Sequence, residues 1–147
     1  MQFKTNSGTI FEIPTPWWEG ARMPDFTPRG TAYTPTTTDH ILFVPICEIR
    51  APSRTRGLTG LSRDGFDAQR MTSILTALFG DIPLPPVNVT ANATGPFRYN
   101  LYHGMHRFYA SAAVGFSHLP VLVIVDNVSA FLDAENAAAN AWRDAHR

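Results

Sequence analysis

The residues best equipped for chemistry in this chain are His103, Gly104, Met105, His106 and Arg107, five consecutive positions that hold a glycine, two imidazoles and a guanidinium. They lie between an alternating segment, Tyr99-Asn100-Leu101-Tyr102, and a helical one that runs through Ala110, Ser111, Ala112 and Ala113 to Gly115. That pattern predicts a strand, a glycine turn and a helix. A helix start presents backbone N–H groups without intrahelical partners and the positive end of the macrodipole, so it suits an anion. Arg107 would sit in the first turn, where the dipole opposes a cation unless a negative group is near. The expected occupant is a phosphate-bearing ligand held by His103 to Arg107. The rival reading pairs Arg107 with Glu48, Asp81 or Asp126. His103, whose ordinary pKa is near ~6.5, is either a second donor and proton carrier or a hydrogen-bonded structural histidine.

Other candidates surround this stretch. Arg50, Arg54, Arg56 and Arg63 form a basic loop that is either solvated or a phosphate clamp, since guanidinium groups suit bidentate phosphate contacts. Glu48 is the carboxylate to test as a general base, with His103 as the other candidate catalytic group. Asp39, Asp64 and Asp67 fit turns and caps, and His118 fits a turn. No spacing of His, Cys or carboxylates forms a recognisable metal pattern, so no metal site is expected. The lone Cys47 excludes an internal disulfide and a multi-cysteine zinc site, and it reads as a small strand-end residue.

The elements that must position these residues follow from periodicity. The 147-residue length and 44% hydrophobic content suit one globular domain with its own core. Gln2 to Ile13 reads as a hairpin turning at Asn6-Ser7-Gly8. Thr15-Pro16 reads as a cap and first helical proline for a short helix carrying Trp17 and Trp18. Residues 23–39 are a proline-rich loop, either functional, as loops of this length often are, or a wrapping linker. His40 to Ile46 is a nearly continuous apolar run, expected as a strand buried on both faces or close to it. A helix is expected over residues 65–79, capped by Asp64, with a stripe of Met71, Ile74, Leu75 and Leu78 and a stop at Gly80. Val87 to Thr90 and Leu119 to Val125 are further strands. Ser129 starts a final alanine-rich helix with Phe131, Ala138, Trp142 and Ala145 on one face. The order predicts a mixed α/β domain of the α+β type: a small mixed sheet with flanking helices and an N-terminal hairpin. Residues 1–39 would be the hairpin, tryptophan helix and loop; 40–126 the core; 127–147 the last helix.

Three segments together resemble the ParB/sulfiredoxin superfamily: Leu84-Pro85-Pro86-Val87-Asn88-Val89, then Tyr99 through Ala110, then Gly115-Phe116-Ser117-His118-Leu119-Pro120-Val121-Leu122-Val123. The resemblance covers about residues 40–126. It implies a single ParB/sulfiredoxin-like domain whose glycine turn binds phosphates, which assigns Gly104, Met105, His106 and Arg107 to the turn and Arg54 and Arg56 to a phosphate-contacting loop. The implied ligand is a nucleotide, with a nucleoside triphosphate and Mg²⁺ as the candidate cofactor. The departures narrow the function. Met105 stands where sulfiredoxins carry the catalytic cysteine, and a thioether cannot supply thiolate chemistry. The chain carries no helix-turn-helix after its last helix, so it does not read as a complete partition protein.

Three functions compete: a phosphate-ligand or nucleotide-binding module, a phosphotransferase or NTP hydrolase using the same pocket, and a nucleic-acid-associated protein using the arginine loop on backbone phosphates. The formal net charge of zero argues against the last. The first is favoured, with catalysis left open. The expected partner is a nucleotide or other phosphate-bearing small molecule, with a homo-oligomer also consistent with the sequence. The absence of a signal segment and of an apolar run long enough to span a bilayer suggests a cytoplasmic protein without a membrane partner.

Overall fold

The computed structural model describes residues 1–5, 7–51, 62, 64–92 and 95–124. Arg54, Arg56, Arg63, Asp126 and the alanine-rich C-terminal segment lie outside the described residues.

Two short strands, β1 (Gln2–Lys4) and β2 (Ile10–Glu12), pair antiparallel as the expected hairpin. Helix α1 (Thr15–Gly20) follows, one residue earlier than expected. Pro14 occupies the capping position, while the Thr15 hydroxyl accepts a hydrogen bond from the N-terminal ammonium at 3.3 Å. The chain then runs through a single 3-10 turn (Met23–Asp25) and an irregular loop. The main sheet is built from β3 (Leu42–Pro45), β4 (Ile49–Arg50), β5 (Val87–Ala91), β6 (Tyr99–His103) and β7 (His118–Ile124), in the spatial order β3-β7-β5-β6-β4. β5 runs parallel to β7 and antiparallel to β6; β3 is antiparallel to β7 and β4 parallel to β6. The protein is therefore a mixed α+β domain, as its pattern of elements predicts.

β3 corrects one expectation. Its apolar run was expected to be buried on both faces or close to it, yet Leu42 and Phe43 are each about half exposed and Val44 is buried. β3 is an edge strand that pairs with β7 alone among the described strands. Apolarity marked the strand but not its place in the sheet.

Helix α2 (Ala68–Phe79) buries Met71, Ile74, Leu75 and Leu78, an i, i+3, i+4, i+7 stripe that turns one face to the core, with Ala77 buried beside it. It starts three residues later than expected, and its cap is Asp67 rather than Asp64. The Asp67 carboxylate accepts the Arg70 N–H at 2.7 Å. Asp64 is fully buried and accepts the Glu12 N–H at 2.6 Å, which ties the hairpin to the approach of α2. Helix α3 (Met105–Val114) ends at Gly115, whose φ of 99° is the left-handed stop that glycine takes without a Cβ penalty.

One core joins these layers. Val44, Ile49, Val87, Val89, Leu101, Leu119 and Val121 of the sheet meet Met71, Leu75 and Leu78 of α2 and Phe108, Tyr109 and Val114 of α3. Phe11, Ile13, Trp18, Met23 and Tyr33 from the first 39 residues belong to the same core. The seam is aromatic: the Tyr109 ring centre lies 4.8 Å from Phe11 and 5.3 Å from Phe66. Burying such rings stabilises by about 2–3 kcal/mol each, and Phe11 brings that contribution from the N-terminal hairpin. Trp18 is buried and Trp17 packs partly buried against the core.

Candidate functional site

The site begins with a glycine. Gly104 joins β6 to α3 at φ 109°, a backbone conformation that an L side chain rarely adopts. It also has no room for one: a Cβ there would lie 2.6 Å from Val87 Cγ1 and 3.2 Å from an Arg107 Nη2. The helix therefore starts without a side-chain cap. Its first ladder bond runs from the Phe108 N–H to the Gly104 carbonyl at 2.8 Å. The N–H groups of Met105, His106 and Arg107 precede that bond and lack intrahelical acceptors.

This turn opens into a cleft of about 640 Å³ lined by Arg70 and Ile74 of α2, Asn88 of β5, Leu101, Tyr102 and His103 of β6, and Gly104 through Arg107. A register shift between Asn88 and Val89 sets His103 opposite Asn88, at the cleft end of β6. Tyr102 is 59% exposed and meets the His103 ring edge-on, with centres 4.5 Å apart. Arg70 and Arg107 supply two cations, and no carboxylate is among the described lining residues. Opposite the dipole's positive end, this is a field for a negative group.

The neighbouring residues hold this arrangement. His106 is 8% exposed, and its Nε2 accepts the Asp67 N–H at 2.9 Å, so the ring proton sits on Nδ1. Burial, with help from the Arg70 charge, pushes the His106 pKa below its usual value against the opposing pull of Asp67. His106 therefore ties the start of α2 to the start of α3. Arg107 forms none of the ion pairs weighed from sequence among the described residues. Its Nη1 donates to the Pro85 carbonyl at 2.7 Å and the Pro86 carbonyl at 2.8 Å. The guanidinium is thereby fixed against the segment leading into β5, with an Nη2 beside Gly104.

The structure brings together His103, Gly104, Met105, His106 and Arg107. It does not bring Glu48 to them. Glu48 precedes Ile49, which pairs with Tyr99 at the start of β6, whereas His103 ends that strand. At about 3.3 Å per residue the two lie roughly 16 Å apart along the strand direction. Glu48 instead faces Arg98 at 3.7 Å, and its carbonyl accepts the Arg98 N–H. Arg54 and Arg56 lie outside the described residues. Among the described residues, no group of three or more His, Cys, Asp or Glu side chains is arranged to hold a metal ion. Nor is any described helix long and apolar enough to cross a membrane.

Sequence reasoning missed Arg70, Asn88 and Tyr33. Arg70 was within reach of the rule that singled out Arg107, because it stands in the first turn of a helix. Tyr33 gave no local signal. Its hydroxyl donates to the Pro85 carbonyl at 2.7 Å, a contact that spans 52 residues.

No protein-family model and no curated protein sequence matches the chain. Several solved structures are similar to it, two crystal structures among them. One is sulfiredoxin from Arabidopsis thaliana, at 17% identity over 57% of this chain and 83% of that one, with a TM-score of 0.44. The other is the C-terminally truncated chromosome-partitioning protein ParB from Caulobacter crescentus in complex with CTP-γ-S, at 19% identity over 64% of this chain, with a TM-score of 0.46. The match spans about half of that ParB chain, 49%. The likeness to both is one of fold alone.

Proposed function

We propose that the cleft at the start of α3 binds a phosphate-bearing small molecule of the nucleotide class. The observation that carries the reading is the uncapped N-terminus of α3, opening between Arg70 and Arg107 into a cleft without a described carboxylate. A phosphate there would accept from the Met105, His106 and Arg107 N–H groups and neutralise both guanidinium charges. The exposed Tyr102 ring offers a face for a base, and the cleft volume admits a nucleotide-sized ligand. Mg²⁺ would come with a triphosphate as part of the ligand and would supply charge neutralisation beside Arg70 and Arg107. Binding is favoured over catalysis because Glu48, the base weighed from sequence, stands at the far end of β6.

Titration calorimetry with ATP, CTP, GTP and their diphosphates, with and without Mg²⁺, tests the reading. At least one is expected to bind, and Arg107→Ala is expected to weaken it at least about tenfold, the usual scale for a lost charge-assisted contact. If none binds, or if Arg107→Ala changes no affinity, the reading fails. Phosphate release that depends on Glu48 would convert the module into an enzyme.

A further inference from the structure

The loop at residues 31–36 meets the candidate site at a shared backbone oxygen. The Pro85 carbonyl accepts two hydrogen bonds of 2.7 Å, one from the Tyr33 hydroxyl and one from Arg107 Nη1. A carbonyl has two lone pairs, and both are used here. The attachment is reinforced on each side of Pro35, where the Thr36 N–H donates to Leu84 O at 2.9 Å and the Leu84 N–H donates to Thr34 O at 3.0 Å. Tyr33 is 4% exposed, so its ring is fixed by the core and its hydroxyl has one direction to point. Burial drives the phenol pKa upward, while the Arg107 charge and a side-chain hydrogen bond with Arg107 pull the other way.

Arg107 needs such a fixture. With Nη1 held on the Pro85 and Pro86 carbonyls, its other amino group comes to rest against Gly104 at the floor of the cleft. A long side chain placed this way loses little freedom when an anion arrives, whereas a loose one would lose rotamer entropy. We propose that Tyr33 is a positioning residue for Arg107: the N-terminal loop, through the shared Pro85 carbonyl, holds the guanidinium in its anion-binding pose. This rests on the anion-binding reading of the cleft for its consequence, but not for the placement itself.

The experiment compares the wild-type chain with Y33F, R107A and the double variant. Y33F keeps the buried ring, and thermal melts confirm that each variant is folded at the working temperature. The first readout needs no ligand: the rate at which phenylglyoxal modifies Arg107, read by peptide mass spectrometry with Arg22 and Arg98 as internal references. Y33F is expected to speed modification of Arg107 about threefold or more and to leave the references unchanged, in keeping with the loss of one hydrogen bond at its anchor. The second readout is affinity for tripolyphosphate. Y33F is expected to weaken it about fivefold in the Arg107 background and not at all in R107A, the signature of two residues acting as one. An unchanged Arg107 modification rate in Y33F overturns the proposal. Faster modification with unchanged wild-type affinity overturns its functional half, because Tyr33 would then be structural only. Should the wild-type chain bind neither tripolyphosphate nor any nucleotide, the reading of the cleft has failed, and the modification rate alone decides whether Tyr33 positions Arg107.

Discussion

Two helices of this protein begin within reach of one another, and they meet the same chemical demand in opposite ways. At α2 the chain satisfies its own start: the Asp67 carboxylate takes the Arg70 N–H, and His106 takes the N–H of Asp67 itself. At α3 the capping residue is a glycine, no described side chain accepts from the first N–H groups, and a cleft opens there. The closed start supports the open one, since His106 spans the two. The difference supports the proposed place for a ligand. A helix start that the protein has already capped is structure, and one left open beside two guanidinium groups is available for an anion.

Substitutions sharpen that contrast. The largest effect is expected at Gly104. Gly104→Ala places a methyl group 2.6 Å from Val87 Cγ1 at a positive φ, so it should destabilise the fold by about 3 kcal/mol, read as a fall in denaturation midpoint. A neutral result would mean that the turn relaxes easily and that the open helix start is not rigidly held. Asp67→Ala removes the α2 cap and should cost about 1 kcal/mol, while leaving the α3 start uncapped as before.

The bridge between the two starts should respond to pH. The His106 pKa lies below its unfolded value, so as pH falls the unfolded chain takes the proton first. Its contribution is complete above the unfolded pKa near ~6.5 and is lost as pH drops through the lower folded value. Stability measured across that window should therefore decline toward acid, and His106→Gln should flatten the slope. If the slope is the same in both proteins, burial between the two helix starts does not hold His106 neutral. The smallest effect is expected from Arg70→Ala, which removes a cation from the rim of the cleft without touching the α3 backbone. It should weaken anion affinity about threefold, less than Arg107→Ala, and more so at low salt.

Much of this was legible in the sequence. The glycine turn, the helix from Met105 to Val114 and its stop at Gly115 follow from local rules about φ and periodicity, and the structure has each of them. The stripe of α2 was equally plain. Its cap was not, because Asp64 and Asp67 both satisfy the local pattern; only the packing of Glu12 against Asp64 separates them. The edge position of β3 was hidden for a similar reason, since hydrophobicity does not say which strands lie on either side. For Arg107 the sequence identified a cation at a helix start but not the two proline carbonyls that hold it, which come from another segment. Tyr33 was invisible because its role exists only through a contact across 52 residues.

The open start of α3 can be tested at its own atoms. In an amide proton–nitrogen correlation spectrum of the labelled chain, titration with tripolyphosphate is expected to move the Met105, His106 and Arg107 amides first and most, with Gly104 close behind. The Ala68 and Gln69 amides of the capped α2 start should move little. Saturable shifts confined to α3 would support the account. Shifts of equal size at both helix starts, or none at Met105 to Arg107, would contradict it.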